Sequence, residues 1–319
     1  MTVFPPITPN DHGVIPLDHG HSLHWQEAGC ADGRPILILH GGPGGSIRPY
    51  YRQLVDPEAF RMILYDQRGC GRSTCEDPLL ANDTERLVDD IERLREHLAI
   101  DRWCVLGGSW GSTLALAYAQ SQPSAVSGLI VSGVFLGRHV DRDWWWRGAR
   151  QVLPDAWAAL NEVLPADERS DLRASYLRRV LDDDSSVYRP AGLALMLYEA
   201  HLLGPEPDIP LMRGMKESVD ETVSMARVFC HYDRHHSFLS EGQLIERASY
   251  LQNIPGSIIA GRHDFCTPPA PAADLARVWP KADFQIVERA GHRWNDAGIA
   301  TAIAESASRL DALLSARLS

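Results

Sequence analysis

The chain has 319 residues, of which 45% are hydrophobic and 23% are charged, a composition typical of a soluble globular protein with a large core. Its net charge of −11 argues against binding to nucleic acid or to an anionic membrane surface. No apolar run approaches the roughly 18 residues of a membrane span, and residues 1–10 carry no secretory signal pattern. The six cysteines are scattered without CxxC pairs, so we expect reduced thiols and a cytoplasmic location.

The first 135 residues alternate between short apolar runs and helical patterns. Four continuous apolar runs predict strands buried on both faces of a parallel sheet: 36–39, 62–65, 103–106 and 129–131. Between the second and third runs, Leu87, Ile91 and Leu94 recur at helical spacing. A further helical segment follows the third run, at residues 112–119. Repeated alternation of this kind predicts an α/β fold.

From about residue 137 to residue 249 the alternation stops, and a helical pattern broken by six prolines takes its place. Strand patterns return at 257–260 and 284–287, before an amphipathic helix from about residue 298. We therefore predict one α/β domain in two sequence halves with a helical cap between them. The predicted division is core at 1–136, cap at 137–249 and core at 250–319.

The segment GGSWG at residues 107–111 lies between a predicted strand and a predicted helix. In that setting Gly-x-Ser-x-Gly holds the serine on a tight turn with its hydroxyl exposed above the sheet edge. The pattern alone is weak, because a chain with 25 glycines can contain it by chance. Ser109 is therefore a candidate nucleophile whose assignment depends on an acid and a base elsewhere.

Two later segments supply an acid and a base in the chain order that α/β-hydrolase sheets use, serine then acid then histidine. Asp264 follows the predicted strand 257–260, and His292 follows the predicted strand 284–287. Catalytic groups of parallel sheets gather at the carboxyl ends of the strands, so both are expected to approach Ser109. His263 is the competing histidine, but an acid followed by a later histidine fits the order better.

A glycine-rich segment, HGGPGG at 40–45, follows the first predicted core strand. Glycines there let the backbone approach a substrate closely, so the amides of Gly42 and Trp110 are the candidate oxyanion-hole donors. A phosphate-binding loop is the alternative use of such a segment. Because no Lys-Ser/Thr pair follows, that alternative is disfavoured.

Five motifs together resemble the proline iminopeptidase (prolyl aminopeptidase) family of α/β-hydrolases: HGGPGGS at 40–46, DQRGCGRS at 66–73, GGSWGSTLALAYAQ at 107–120, GRHDFCTP at 261–268 and AGH at 290–292. The resemblance implies an α/β-hydrolase fold, with a mostly parallel central sheet and an inserted helical cap. It also implies removal of an N-terminal residue, preferably proline, from short peptides without a cofactor. Ser109, Asp264 and His292 match the family's triad, the same residues reached above from order and position.

The segments that recognise substrate depart from the family's pattern. The family holds the substrate's amino group with cap glutamates; LMLYE at 195–199 keeps Glu199 but lacks the family's two tryptophans. Phe229 stands where the family has a second glutamate, and Ser132 where it tends to have arginine. We therefore expect a pocket with one carboxylate, Glu199. Its apolar walls are expected to include four aromatic residues: Phe135, Trp145, Tyr198 and Phe229.

Other sites and functions remain as weaker alternatives. His231, Asp233, His235 and His236 suggest a metal site, but adjacent histidines on a helix point in different directions and a serine triad needs no metal. We expect no metal or cofactor, a small peptide or amino-acid amide as substrate, and no nucleic-acid or membrane partner; the oligomeric state is left open. An esterase or lactonase without a free-amine requirement is the alternative enzyme, and a non-catalytic binding protein is the alternative class.

Overall fold

The computed structural model describes residues 3–316, within which eight strands form a single sheet. The strands, in chain order, are β1 (Asp11–Pro16), β2 (Ser22–Gly29), β3 (Arg34–Leu39), β4 (Phe60–Tyr65), β5 (Trp103–Gly108), β6 (Val126–Ser132), β7 (Gly256–Gly261) and β8 (Ala282–Val287). Across the sheet their order is β1-β2-β4-β3-β5-β6-β7-β8. The pairs β1/β2 and β2/β4 are antiparallel, and the other neighbours are parallel. This is the mostly parallel α/β sheet that the sequence predicts.

The same residues contain eleven α-helices. They are α1 (Thr84–His97), α2 (Trp110–Ser121), α3 (His139–Trp146), α4 (Pro154–Glu162), α5 (Leu172–Val180), α6 (Ser185–Leu202), α7 (Ile209–Glu217), α8 (Val219–Arg234), α9 (Gln243–Glu246), α10 (Pro269–Val278) and α11 (Ala297–Ser315). Short 3₁₀ helices occur at Asp18–Gly20, Pro49–Gln53, Gly148–Gln151, Ala166–Glu168, His236–Phe238 and Ala248–Leu251. Every strand and helix predicted from periodicity overlaps one of these elements. The edge strand β1 and its neighbour β2 were not predicted.

The sheet is covered on both faces, which explains why its central strands read as continuous apolar runs. Along β3, Leu37 packs into the cluster that contains side chains of α1 and α2, while Ile36 and Ile38 pack into the cluster formed with α11. Successive side chains of a strand point to opposite faces, so both faces of β3 must be apolar. Burying each such side chain contributes about 1.5–3 kcal/mol. In β1 the outward-facing residues are exposed, so no apolar run marks that strand.

The segment between β6 and β7 contains helices α3 to α9 and, among its described residues, no strand. A third hydrophobic cluster joins several of these helices, with Trp146 of α3, Tyr176 of α5 and Leu195 of α6 among its fully buried members. Cys266, from the loop after β7, belongs to the same cluster. The helical segment is therefore packed against the loops at the carboxyl edge of the sheet. Its division from the core at residues 137 and 249 stays a prediction.

Two features bear on the environment of the chain. Within residues 3–316 no helix is both long and apolar enough to cross a membrane. All six cysteines are free, and four of them are buried. The cytoplasmic location expected from the cysteine spacing stays a prediction.

Candidate active site

Ser109 occupies the sharp turn between β5 and α2, with φ of 57° and ψ of −128°. A side chain rarely adopts such a backbone conformation, so the turn is strained and must be held by its surroundings. The motif's two glycines are required by sterics. A β-carbon at position 107 would lie 2.1 Å from the Gly111 carbonyl oxygen, and one at position 111 would lie 2.4 Å from the Leu39 oxygen. The turn thus presents Ser109 at the end of a central strand.

Asp264 and His292 form a hydrogen-bonded pair on the loops after β7 and β8. Nδ1 of His292 lies 2.8 Å from Oδ2 of Asp264. The other carboxylate oxygen accepts hydrogen bonds from the amides of Cys266 at 3.0 Å and Thr267 at 2.7 Å. The Thr267 hydroxyl donates to Oδ2 at 2.8 Å. Four donors therefore fix the carboxylate, and the pairing leaves Nε2 of His292 as the ring's free acceptor.

Ser109 and His292 flank the same two residues at the end of β6. The amide of Ser109 donates to the Ser132 carbonyl at 2.9 Å. A β-carbon at position 133 would lie 3.1 Å from Cε1 of His292, so the ring packs directly on Gly133. The structure therefore brings the three residues predicted as a triad to one place at the carboxyl edge of the sheet, as parallel topology requires.

The charge state of His292 reflects two opposing effects. Burial by itself lowers the pKa of His292, but the negative charge and hydrogen bond of Asp264, with a contribution from Glu199, outweigh it and raise the pKa above its ordinary value. A general base must be neutral before it accepts a proton. Activity that depends on this histidine is therefore lost as the pH falls through its raised pKa.

The glycine-rich loop after β3 packs directly against the turn that carries Ser109. A β-carbon at position 41 would lie 3.1 Å from Cβ of Ser109 and 3.2 Å from the Gly108 oxygen. Gly42 and Trp110 line the same cavity as Ser109, and Trp110 begins α2, where amides have no partner within the helix. Both predicted oxyanion donors are thus beside Ser109.

A cavity beside Ser109 encloses about 560 Å³ of empty space, part of it open to solvent. Its walls include four residues predicted for the substrate pocket: Phe135, Trp145, Glu199 and Phe229. The rings of Trp145 and Phe229 contact each other, with centroids 5.1 Å apart. Trp146, from the tryptophan run around Trp145, is also in the wall, and wall residues not anticipated from the sequence include Tyr232, Asp141, Arg142 and Ser237.

Tyr198 is the predicted pocket residue that the structure places behind the cavity wall. Its ring packs edge-on against Trp145 at 5.2 Å, and its hydroxyl donates to the Trp145 carbonyl at 3.3 Å. Adjacent positions on a helix point about 100° apart, so the helix that aims Glu199 at the cavity turns Tyr198 away from it. The prediction that Tyr198 contacts substrate is therefore corrected: it supports Trp145.

Glu199 is a buried acid with no hydrogen-bond partner for its Oε2 atom among the described residues. Its side chain lines the cavity, and the residue is 9% exposed. Burial raises the pKa of Glu199 to about 7, against the opposing effect of His292. A buried carboxylate without a partner is costly, so this position is a candidate site for a ligand's positive charge.

The loops after β7 and β8 are joined to the end of the helix that carries Glu199. The amide of His292 donates to the Leu203 carbonyl at 2.7 Å, and the amide of Phe265 donates to the Leu202 carbonyl at 3.1 Å. The Trp144 indole, in α3, donates to the Phe265 carbonyl at 2.8 Å. These bonds set the position of Glu199 relative to the Asp264–His292 pair.

The polar residues considered as metal ligands have other partners. Asp233 accepts a hydrogen bond from Nε of Arg173 at 2.8 Å, and the His231 ring bonds the Asn82 carbonyl at 2.7 Å. Within the described part of the chain, no three His, Cys, Asp or Glu residues are grouped to hold a metal ion. Asp233 also lines the cavity, four residues after Phe229 on α8.

Comparison with known proteins places this geometry in a family. The family model described as alpha/beta hydrolase fold matches residues 34–294. The proline iminopeptidase of Arabidopsis thaliana is 39% identical over 318 residues, which cover 98% of this chain and 83% of the relative. That of Xanthomonas citri is 40% identical over 293 residues, covering 91% and 93%.

Solved structures show the same fold. The proline iminopeptidase of Mycobacterium smegmatis matches with a TM-score of 0.64 at 21% identity, covering 95% of this chain and 99% of that one. A proline iminopeptidase-related protein of Thermus thermophilus matches with a TM-score of 0.62 at 24% identity, covering 95% and 98%. From the family model and the full-length relatives, the chain belongs to the proline iminopeptidase family of α/β-hydrolases.

Proposed function

We propose that the chain is a serine exopeptidase and amidase that releases an N-terminal residue, proline or another small or apolar residue, from short peptides or amino-acid amides. One observation carries the proposal beyond family membership: the unpartnered carboxylate of Glu199 lines the same cavity as Ser109. A substrate's terminal ammonium group would neutralise that buried charge while its carbonyl reaches the nucleophile. Relatives named as proline iminopeptidases support this choice of substrate.

The reaction begins with the formation of a tetrahedral intermediate. Oγ of Ser109 attacks the carbonyl carbon of the N-terminal residue and passes its proton to Nε2 of His292. Asp264 holds the resulting imidazolium and keeps its own negative charge. The amides of Gly42 and Trp110 donate to the oxyanion of the tetrahedral intermediate.

Breakdown of the tetrahedral intermediate gives an acyl-enzyme, and water then restores the free enzyme. His292 gives its proton to the leaving nitrogen, the carbon–nitrogen bond breaks, and the N-terminal residue remains as an ester on Ser109. Water then attacks this ester while His292 accepts the water's proton. The imidazolium returns that proton to Oγ of Ser109 as the free amino acid leaves.

The same cavity accounts for the preference for an N-terminal residue. Glu199 binds the ammonium group, and the walls formed by Phe135, Trp145 and Phe229 accept a small or apolar side chain, including the proline ring. An aromatic face also attracts a cation, which favours the ammonium form of the substrate. We further propose that residues 137–249 act as a cap that excludes long or folded substrates.

A panel of arylamides tests this function. Prolyl and alanyl arylamides are compared with their N-acetylated forms and with a short acyl ester. We expect the free amines to be turned over and acetylation to lower that turnover at least about 100-fold. Acetylation removes a charge-assisted contact of about 1.5–3 kcal/mol, and the added acetyl group also takes up space in the cavity. Equal turnover of acetylated and free substrates would exclude the role given to Glu199.

The second candidate is an esterase or lactonase with the same triad. It is favoured by the largely aromatic walls and by the raised pKa of Glu199, about 7, which leaves part of this group neutral near neutral pH. Faster turnover of the ester, indifferent to an amino group, would establish it. Labelling of Ser109 by a fluorophosphonate, lost in Ser109→Ala, separates both enzymes from a binding protein.

A further inference from the structure

The side chain of Gln67 joins the two chain segments that carry the proposed oxyanion donors. Gln67 is 1% exposed and lies two residues beyond the end of β4. Its Oε1 accepts a hydrogen bond from Nε1 of Trp110 at 2.9 Å, and its Nε2 donates to the His40 carbonyl at 2.8 Å. In the sheet, β3 lies between β4 and β5. The side chain therefore passes over the end of β3 and reaches the turn after β5.

The hydrogen-bonding roles in this contact follow from chemistry. An indole N–H only donates, so the Gln67 atom facing Trp110 must be the oxygen, and the amide nitrogen then faces His40. The Gln67 backbone amide also only donates, and it lies 3.0 Å from Nε2 of His40, which is therefore the unprotonated ring nitrogen. Burial lowers the pKa of His40, which keeps the ring neutral.

The remaining proton of His40 extends the network into the glycine-rich loop. In the neutral ring Nδ1 carries that proton, and it lies 2.8 Å from the Gly41 carbonyl oxygen, to which it donates. The far end of the same loop is held by Asp66, the residue before Gln67 in the sequence. Asp66 accepts a hydrogen bond from the Ile47 amide at 2.6 Å. The network thus fixes both ends of the loop that contains Gly42.

We propose that Gln67 is a positioning residue that sets the separation of the Gly42 and Trp110 amides and so pre-organises the oxyanion hole. The two donors belong to different strand ends, β3 and β5, and a mismatch in their spacing weakens contact with the oxyanion while leaving ground-state binding intact. Gln67 itself touches neither substrate nor reacting atoms. The inference rests on the proposed acyl transfer at Ser109.

The test compares Gln67→Met with Trp110→Phe and the double variant. Both single variants remove the hydrogen bond between Gln67 and Trp110; Gln67→Met also removes the contact with the His40 carbonyl, and Trp110→Phe also shortens a buried ring. We expect Gln67→Met to lower kcat by about 10–100-fold, in the range of a lost oxyanion contact, with KM changed by less than about threefold. The double variant should lose less than the product of the two single losses, because the shared hydrogen bond is removed only once.

An alkylboronic acid without an amino group provides a readout that a merely structural role would not move. Boron adds to Ser109 as a tetrahedral adduct whose oxygen occupies the oxyanion hole. The inhibition constant of Gln67→Met should therefore rise by the same factor by which kcat falls. Gln120→Met is the matched control, because Gln120 is a buried glutamine of α2 whose Nε2 donates to the Leu244 carbonyl at 2.7 Å, away from the site. It should lower the melting temperature and leave kcat and boronate inhibition unchanged.

The outcomes distinguish this inference from the function on which it rests. If wild type is neither labelled by a fluorophosphonate nor inhibited by the boronate, the proposed nucleophile is wrong. If wild type responds to both and Gln67→Met keeps its kcat and its boronate inhibition, Gln67 is only structural. A rise in KM at constant kcat would also overturn the proposal. Should Gln67→Met fail to fold, Trp110→Phe alone decides, since it must show the same loss in kcat and in boronate affinity.

Discussion

Replacing Glu199 by glutamine should stabilise the protein while it impairs the enzyme. Burial raises the pKa of Glu199 from an ordinary 4.5 to about 7 in the folded chain. An acid whose pKa is raised by folding stabilises the protein fully below its unfolded pKa, and this contribution is lost as the pH rises through the folded pKa. The difference of about 2.5 in pKa corresponds to about 3 kcal/mol. Glutamine does not ionise, so Glu199→Gln avoids this pH-dependent loss.

Urea titrations at pH 5 and pH 8 measure the effect. We expect the gain in free energy of unfolding for Glu199→Gln, relative to wild type, to be about 2 kcal/mol larger at pH 8 than at pH 5. A buried amide without a partner has its own cost, but that cost is the same at both pH values. Glu162→Gln is the control, because Glu162 is an exposed acid at the end of α4, and it should show no such difference.

The same variant should lose recognition of the substrate's ammonium group. The value of kcat/KM for a prolyl arylamide should fall about 10–100-fold, the equivalent of a charge-assisted hydrogen bond, while a neutral acyl ester is hydrolysed as before. The reasoning is refuted if the stability gain of Glu199→Gln is independent of pH, since Glu199 would then not be a buried, unpartnered acid. It is refuted equally if prolyl arylamide turnover is unaffected.

Three further changes test the surroundings of the triad and the core. Thr267→Val removes the hydroxyl that donates to the same Asp264 oxygen, Oδ2, as His292 does. The value of kcat/KM should fall about 10–100-fold. The acidic limb of the plot of kcat/KM against pH should also move to higher pH, because the carboxylate then acts more fully on the imidazolium. Thr267→Ser should behave as wild type, and identical pH profiles for the two variants would contradict this. Gly41→Ala places a β-carbon 3.1 Å from Cβ of Ser109. This close contact should displace Ser109, so kcat should fall about tenfold with little change in KM. An unaltered kcat would show that the turn accommodates the β-carbon without displacing Ser109. Arg68→Met leaves Asp90, at 0% exposure, without the guanidinium that contacts both its oxygens. Urea unfolding should show that the free energy of unfolding falls by about 3–5 kcal/mol. A fall below about 1 kcal/mol would contradict the stabilising role of this ion pair.

The central sheet could be predicted because the burial of each strand leaves a pattern in that strand's own sequence. Strands buried on both faces must be apolar throughout, so β3 and β5 are visible in the sequence. Chain order and the carboxyl edge of a parallel sheet then sufficed to bring together Ser109, Asp264 and His292. The edge strand β1 was not predicted, because its exposed residues need not be apolar.

The pocket was harder to predict because it depends on how helices pack. Glu199 and Tyr198 are neighbours in sequence, yet only the rotation of α6 decides that one faces the cavity and the other supports Trp145. Thr267 and Gln67 lie in motifs visible in the sequence, but their roles rest on single hydrogen bonds to Asp264 and Trp110. No periodicity or spacing encodes such contacts.

The backbone bonds from Leu202 and Leu203 to the catalytic loops have a consequence for how the site opens. The end of α6 cannot swing away from the sheet without breaking the contacts that position Phe265 and His292. Trp144 ties α3 to the same loop, so we expect the cavity to widen at Phe229 of α8 more readily than at Glu199 or Trp145. Substitutions of Phe229 are then expected to change which side chain enters, while the backbone at the end of α6 keeps Glu199 at a fixed position relative to His292.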